Sequence, residues 1–191
     1  MNKKVKILIA VGGTGGHVLP GLNLAKHFLE MGYFVSIVSD KRGTRFLEKS
    51  KELRTIILPS SPLVKKNIYL IFFSSIFIIY SIIRSFFFLL LNRPKILVGM
   101  GGYASLPICI AAIILRIKFV IYENNLIVGK ANKFLAPFAG KILVSNKDVE
   151  GIPIKYNKKT LEIGNIIKKE FLSFSKNSIN TEDKKLNILV L

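Results

Sequence analysis

The chain predicts an α/β domain built on a doubly wound parallel sheet, and three features of the sequence carry that expectation. Short apolar runs alternate with stretches of helical periodicity. Two of these runs end in glycine-rich turns that open a helix. The runs are almost continuously apolar, which suits strands covered on both faces. Such alternation builds βαβ units, whose crossovers put helices on the two faces of a parallel sheet.

The elements follow in order. Val5 to Val11 is an apolar run bounded by glycine and reads as the first strand. After the Gly12–Gly16 turn a helix is expected over Pro20 to Met31, with Leu22, Ala25 and Leu29 on one face and Gly32 closing it. Phe34 to Val38 is a second strand and Ile56 to Leu58 a short third, followed by the loop Pro59-Ser-Ser-Pro62. Lys95 to Val98 is the next strand, ended by Gly99-Met-Gly-Gly102, and a helix is expected from Leu106 to Leu115. Phe119 to Tyr122 is a strand, Lys130 to Phe138 is helical, and Ile142 to Val144 and Leu161 to Ile163 are further strands. No internal repeat is evident.

Residues 1–172 thus form one Rossmann-like domain. The polar stretch 173–185 reads as a linker. Leu186 to Leu191 is an apolar run directly after it. A domain does not close on one strand, so this run is expected to be the first strand of a second domain.

Composition narrows the classes of function. Of 191 residues, 50% are hydrophobic and 21% charged, with mean hydropathy +0.43, which excludes intrinsic disorder. A single cysteine, Cys109, excludes an internal disulfide framework and a cysteine zinc cluster. The net charge of +18 suits nucleic acid, phosphorylated ligands or anionic membrane. Its distribution decides among them. No acidic residue lies between Glu52 and Glu123, while Lys65, Lys66, Arg84, Arg93, Lys95, Arg116 and Lys118 all fall there. The same span holds the most apolar stretch, 68–91, interrupted only by Arg84. Cations flanking apolar segments suit a protein resting on anionic lipid, and nucleic acid is not expected as a partner.

Segment 68–91 lies between two expected strands of one sheet. A single crossing of the bilayer would divide that sheet between two compartments. The expectation is therefore a helix or helical hairpin packed on the sheet, with an apolar face toward lipid. Met1-Asn-Lys-Lys leads straight into a strand without a signal-peptide pattern, so the body is expected at the cytoplasmic face of the membrane, as a peripheral protein.

The chemistry is expected at the two glycine loops. Gly12-Gly-Thr-Gly-Gly-His17 and Gly99-Met-Gly-Gly-Tyr-Ala-Ser105 each follow a strand and precede a helix. Glycine lets backbone N–H groups approach a ligand, and helix N-termini favour negative charge. Two such turns at one carboxyl edge suit a diphosphate, with Tyr103 and Ser105 as further donors. The first loop is neither a dinucleotide fingerprint, since Val18 stands where its third glycine would be, nor a P-loop. Asp40, closing the second strand, leaves a ribose-binding role open. His17 at the loop mouth is a candidate general base or anion donor. Glu123, at the end of a strand, is a candidate acid, base or sugar-hydroxyl acceptor.

In the motifs these residues form, the chain resembles the amino-terminal domain of the MurG family. The motifs are Gly12-Gly-Thr-Gly-Gly-His-Val18, Gly99-Met-Gly-Gly-Tyr103, Tyr122-Glu-Asn-Asn125, Gly129-Lys-Ala-Asn132 and Gly164-Asn165, in family order. The resemblance implies the amino-terminal half of a GT-B glycosyltransferase of peptidoglycan synthesis. That activity moves N-acetylglucosamine from UDP-GlcNAc to the undecaprenyl-diphosphate-linked muramyl-pentapeptide, lipid I, giving lipid II. It implies no metal or cofactor. It also implies a carboxyl-terminal donor domain, in cis or in trans, without which the chain would be inactive. The alternative it leaves open is a non-catalytic membrane-anchoring subunit of a split transferase.

Carried over by position, the resemblance implies that Thr14, Gly15 and Gly16 contact donor or diphosphate and that His17 assists near the acceptor hydroxyl. Gly101, Gly102 and Tyr103 belong to the second loop, Asn125 contacts the donor, and Lys168 meets a UDP phosphate. Glu123 matches the carboxylate of a His-Glu-Gln-Asn motif, in which this chain has Tyr122 for His and Asn124 for Gln. Lys168 replaces the family's arginine and loses its bidentate geometry.

Overall fold

The computed structural model describes residues 5–48, 50–60 and 67–174. Seven parallel strands form one sheet: β1 (Lys6–Ala10), β2 (Phe34–Ser39), β3 (Arg54–Ile57), β4 (Ile96–Gly99), β5 (Phe119–Glu123), β6 (Lys141–Val144) and β7 (Thr160–Glu162). Their spatial order is β3-β2-β1-β4-β5-β6-β7, so the direction of winding reverses between β1 and β4. This is a Rossmann-like topology, and ligands of such sheets bind at the carboxyl side of that reversal.

Side chains alternate along each strand and build two cores. Ile7 and Ile9 of β1 pack with Val18, Leu22 and Ala25 of α1 (Gly15–Glu30). Leu8 and Ala10 face the other way, toward Leu89 of α2 (Ile68–Asn92) and Ile108, Ala111 and Ala112 of α3 (Gly102–Ile114). The short helix α4 (Lys130–Leu135) packs beside α3 on that second face. After β7 the chain returns across the first face, where Ile166 joins the core under α1, and it continues into α5 (Lys169–Phe174). Lys169 reaches Glu30 at 3.3 Å there. Helix α5 covers two residues of the stretch expected as a linker. The remainder of that linker and the run 186–191 lie outside the described residues, as do 61–66.

Two helices start earlier than expected. α1 begins at Gly15 rather than Pro20, and α3 at Gly102 rather than Leu106. The glycine loops are thus the first turns of their helices, and Pro20 and Pro107 lie inside, each at the sixth helical position. α4 is shorter than expected, ending at Leu135.

α2 is one continuous helix of 25 residues, about 37 Å long at 1.5 Å per residue. Asn67 caps it, its side chain accepting from the Tyr69 amide at 3.1 Å. The face at Ser81, Ser85 and Leu89 is buried against the sheet and α3, where serines permit close approach. The opposite face exposes Phe72, Phe73, Ile76, Ile79, Tyr80, Ile83 and Phe87. Among the described residues, this is the one helix long and apolar enough to cross a membrane, yet it joins β3 and β4 of one sheet.

Candidate functional site

β1 and β4 are hydrogen-bonded neighbours with Ala10 opposite Gly99, so both glycine loops leave the sheet at the same level. They touch directly. A Cβ added to Gly12 would lie 2.2 Å from the Cβ of Ala104 in the second loop's helix, so only glycine allows this approach. At Gly101, with φ +86°, an added Cβ would lie 3.3 Å from the His17 ring and 3.1 Å from Asn132 Nδ2. The imidazole therefore lies directly against Gly101 and Gly102 of the second loop. Thr14 caps α1 through its extended backbone, while its side chain makes no capping hydrogen bond.

The exit of β5 supplies the third wall. Strand alternation points Glu123 to the α3–α4 side, where it is 1% exposed. Its Oε1 accepts from the Asn125 amide (3.1 Å) and Asn125 Nδ2 (2.7 Å); its Oε2 accepts from the Gly129 amide (2.9 Å) and Asn132 Nδ2 (3.0 Å). These four bonds hold the carboxylate in place and orient Asn125. Tyr122 points to the opposite face, buried, and its hydroxyl donates to the Gly164 carbonyl at 3.1 Å. Burial pushes that hydroxyl's pKa up. Asn124 donates from Nδ2 to the Gly16 carbonyl at 3.0 Å, tying the β5 exit to the first turn of α1.

A further element at this edge is built on Asp40, whose partners the sequence did not reveal. Asp40, 4% exposed, accepts from the amides of Gly13 (3.1 Å) and Gly43 (2.9 Å) and from Arg42 Nε (3.0 Å) and Nη2 (2.8 Å). Burial works to raise its pKa. The Gly13 amide, Arg42 and the Gly43 amide together outweigh that and hold it below the usual carboxylate value. With these partners Asp40 shapes the first loop. Arg42 then donates from Nη1 to the Tyr103 hydroxyl at 2.6 Å. That hydroxyl accepts from Arg42, so its own hydrogen is available to a ligand.

Thr14, Gly15, Gly16, His17, Gly101, Gly102, Tyr103, Glu123 and Asn125 thus gather at one carboxyl edge. Lys168 stands apart. It lines a cleft of about 700 Å³ beside the outer face of α1, with Asn23, His27 and Glu30. Among the described residues, three buried atoms at the edge have no hydrogen-bond partner: His17 Nδ1, Asn124 Oδ1 and Asn132 Oδ1. Each such atom costs about 1–3 kcal/mol. Among the described residues, no group of three or more His, Cys, Asp or Glu side chains is placed to hold a metal ion.

The Rossmann-like sheet with two facing glycine turns at its switch point has the fold of the amino-terminal half of a GT-B glycosyltransferase, and the family comparison agrees. Residues 7–144 match the model of the glycosyltransferase family 28 N-terminal domain, and the chain belongs to that family. It is 38% identical over 191 residues to the UDP-N-acetylglucosamine--N-acetylmuramyl-(pentapeptide) pyrophosphoryl-undecaprenol N-acetylglucosamine transferase of Pelagibacter ubique, covering 100% of this chain and 52% of that protein. The chain therefore spans about half the length of the curated relatives it matches. In fold it resembles MurG of Acinetobacter baumannii (TM-score 0.70, 19% identity, 92% of this chain and 50% of that one). It also resembles S. aureus MnaA, solved with UDP (TM-score 0.61, 16% identity, 85% and 44%).

Proposed function

We propose that this chain is the acceptor- and membrane-binding half of a transferase that moves GlcNAc from UDP-GlcNAc to lipid I, forming lipid II. The observation that carries the reading is the position of His17, held between two helix-opening glycine loops at the carboxyl edge of the sheet. The loop amides receive the acceptor's diphosphate, as helix N-termini favour anions. The Tyr103 hydroxyl, accepting from Arg42, adds a donor.

His17 takes the proton of the acceptor sugar hydroxyl as its oxygen attacks the anomeric carbon of the donor. The bond to UDP breaks in line, and the leaving diphosphate is met on the donor side. Glu123 acts differently. With both oxygens engaged by four donors, it orients Asn125 toward the donor rather than moving the proton. Lys168, exposed in the cleft beside α1, reaches a UDP phosphate only through the approach of a carboxyl-terminal half.

The apolar face of α2 rests on the cytoplasmic leaflet. Its exposed neighbours Arg84, Arg93, Lys95, Arg116 and Lys118 meet anionic headgroups. Lys65 and Lys66, expected to do the same, lie outside the described residues. Because α2 joins two strands of one sheet, it lies on the bilayer rather than crossing it. The helix runs antiparallel to the strands, so its first turn is at the carboxyl edge, and a lipid-anchored diphosphate reaches the loops from there.

The test is turnover of UDP-GlcNAc with a lipid I analogue. Residues 1–191 alone should give none, and addition of the carboxyl-terminal half of the Pelagibacter relative should give turnover that His17→Gln abolishes. Turnover by residues 1–191 alone would overturn the division of labour.

A further inference from the structure

The two site helices share a local pattern. α1 opens Gly15-Gly-His-Val-Leu-Pro20 and α3 opens Gly102-Tyr-Ala-Ser-Leu-Pro107. Proline has no N–H, so in each helix the carbonyl four residues earlier loses its helical partner: Gly16 in α1 and Tyr103 in α3. The two first turns are held by different means. In α3, Ser105 Oγ shares its one hydrogen between the Gly101 and Gly102 carbonyls, both at 3.0 Å, a local clasp that does not reach the Tyr103 carbonyl. In α1 the corresponding residue is Val18, which has nothing to donate. The Gly16 carbonyl instead accepts from Asn124, 108 residues away in sequence.

We propose that Asn124 is a positioning residue, which uses the carbonyl freed by Pro20 to set His17 in register with Asn125. Gly16 immediately precedes His17, and Asn124 immediately precedes Asn125. Asn125 is locked from the other side by its two bonds to Glu123 Oε1. One dipeptide thus spans from the base on the acceptor side to the amide on the donor side. The Asn124–Gly16 bond is the cross-link between them. Glu123 is in turn held by Gly129 and Asn132 at the start of α4, so the register is anchored in the fold rather than in the loop. Asparagine at position 124 therefore has a geometric task, and Pro20 leaves the Gly16 carbonyl open to it. The inference rests on the reading of His17 as the proton acceptor, but the cross-link can be tested apart from that chemistry.

The experiment compares the wild-type chain with Asn124→Ala, Pro20→Ala and the double variant. In Pro20→Ala the new amide at position 20 offers the Gly16 carbonyl a helical donor that competes with Asn124 for it. The first readout is the NMR line width of the Gly16 and His17 amides and the His17 ring. The second is the affinity for inorganic pyrophosphate by calorimetry. Asn124→Ala should broaden these signals and weaken pyrophosphate about tenfold with Pro20 present, and weaken it by less than about twofold in the Pro20→Ala background. Unchanged Gly16 and His17 signals in Asn124→Ala, or an equal effect in both backgrounds, would overturn the proposal. If the wild-type chain binds no pyrophosphate, the diphosphate reading of the loops fails, while the line widths still decide the cross-link.

Discussion

Arg42 Nη1 donates to the Tyr103 hydroxyl at 2.6 Å, joining the loop after β2 to the second glycine loop across the mouth of the first. The guanidinium is fixed from behind by two bonds to Asp40, which also holds the Gly13 amide. One carboxylate thus organises the first loop and aims a cation at the second.

Replacing Asp40 with Asn should weaken the fold by about 1–3 kcal/mol, since the amide leaves some of these donors without an acceptor. The pH dependence follows from the lowered pKa. The native carboxylate ionises more readily than the unfolded one, so its contribution is full above the ordinary value of 3.8 and is lost as pH falls through the native value. Urea midpoints measured from pH 7 downward should fall less steeply in Asp40→Asn than in the wild-type chain. Parallel curves would remove Asp40 from the set of groups responsible.

Glu123 and His17 should respond to substitution in opposite ways. Glu123→Gln puts an amide NH₂ where donors already point, with the side chain buried, and should cost about 2–4 kcal/mol of stability. His17→Gln should leave the melting temperature close to wild type and reduce turnover, in the presence of a carboxyl-terminal half, about 10²–10⁴-fold. Calorimetric melting and the coupled transferase assay separate the two. A stable Glu123→Gln protein with turnover as low as that of His17→Gln would return the proton transfer to Glu123.

Gly12→Ala should destabilise the domain by about 1–3 kcal/mol, because its Cβ would meet the Ala104 Cβ and neither group can rotate away. Combining it with Ala104→Gly should recover part of the loss, read as chemical-denaturation midpoints. No recovery would mean that the conformation of the first loop, rather than its contact with α3, requires glycine.

The sheet and both glycine loops were legible in the sequence, because glycine at a strand end and apolar alternation are direct consequences of steric fit. The helix starts were not. Pro20 suggested a first-turn proline, its favoured place, but it sits deeper in α1, where the Gly16 carbonyl it frees is satisfied by Asn124. The Asp40–Arg42–Tyr103 chain was hidden for a related reason: its last link joins residues 61 apart, and no local pattern encodes it. Glu123 was visible as a strand-end carboxylate. Whether it would face solvent or the amide of Gly129 depended on the placement of α4, which only the fold specifies.

The apolar face of α2 gives the last prediction. Ile76 and Phe87 are 48% and 57% exposed, so replacing either with Asp removes outward apolar surface without opening a core cavity. Ser85, by contrast, is 1% exposed on the face packed inward, and Ser85→Leu should lower the melting temperature clearly by overpacking, at a cost of about 1–3 kcal/mol. If α2 rests on lipid, Ile76→Asp and Phe87→Asp should each leave the melting temperature near wild type and lower flotation with anionic vesicles several-fold. Added salt should weaken the wild-type interaction as well, since exposed cations at Arg84, Arg93 and Lys118 supply the screened part of the attraction. Flotation that responds to salt but not to either Asp would assign binding to the cations alone, and α2 would then be an outer helix of the fold with no lipid contact.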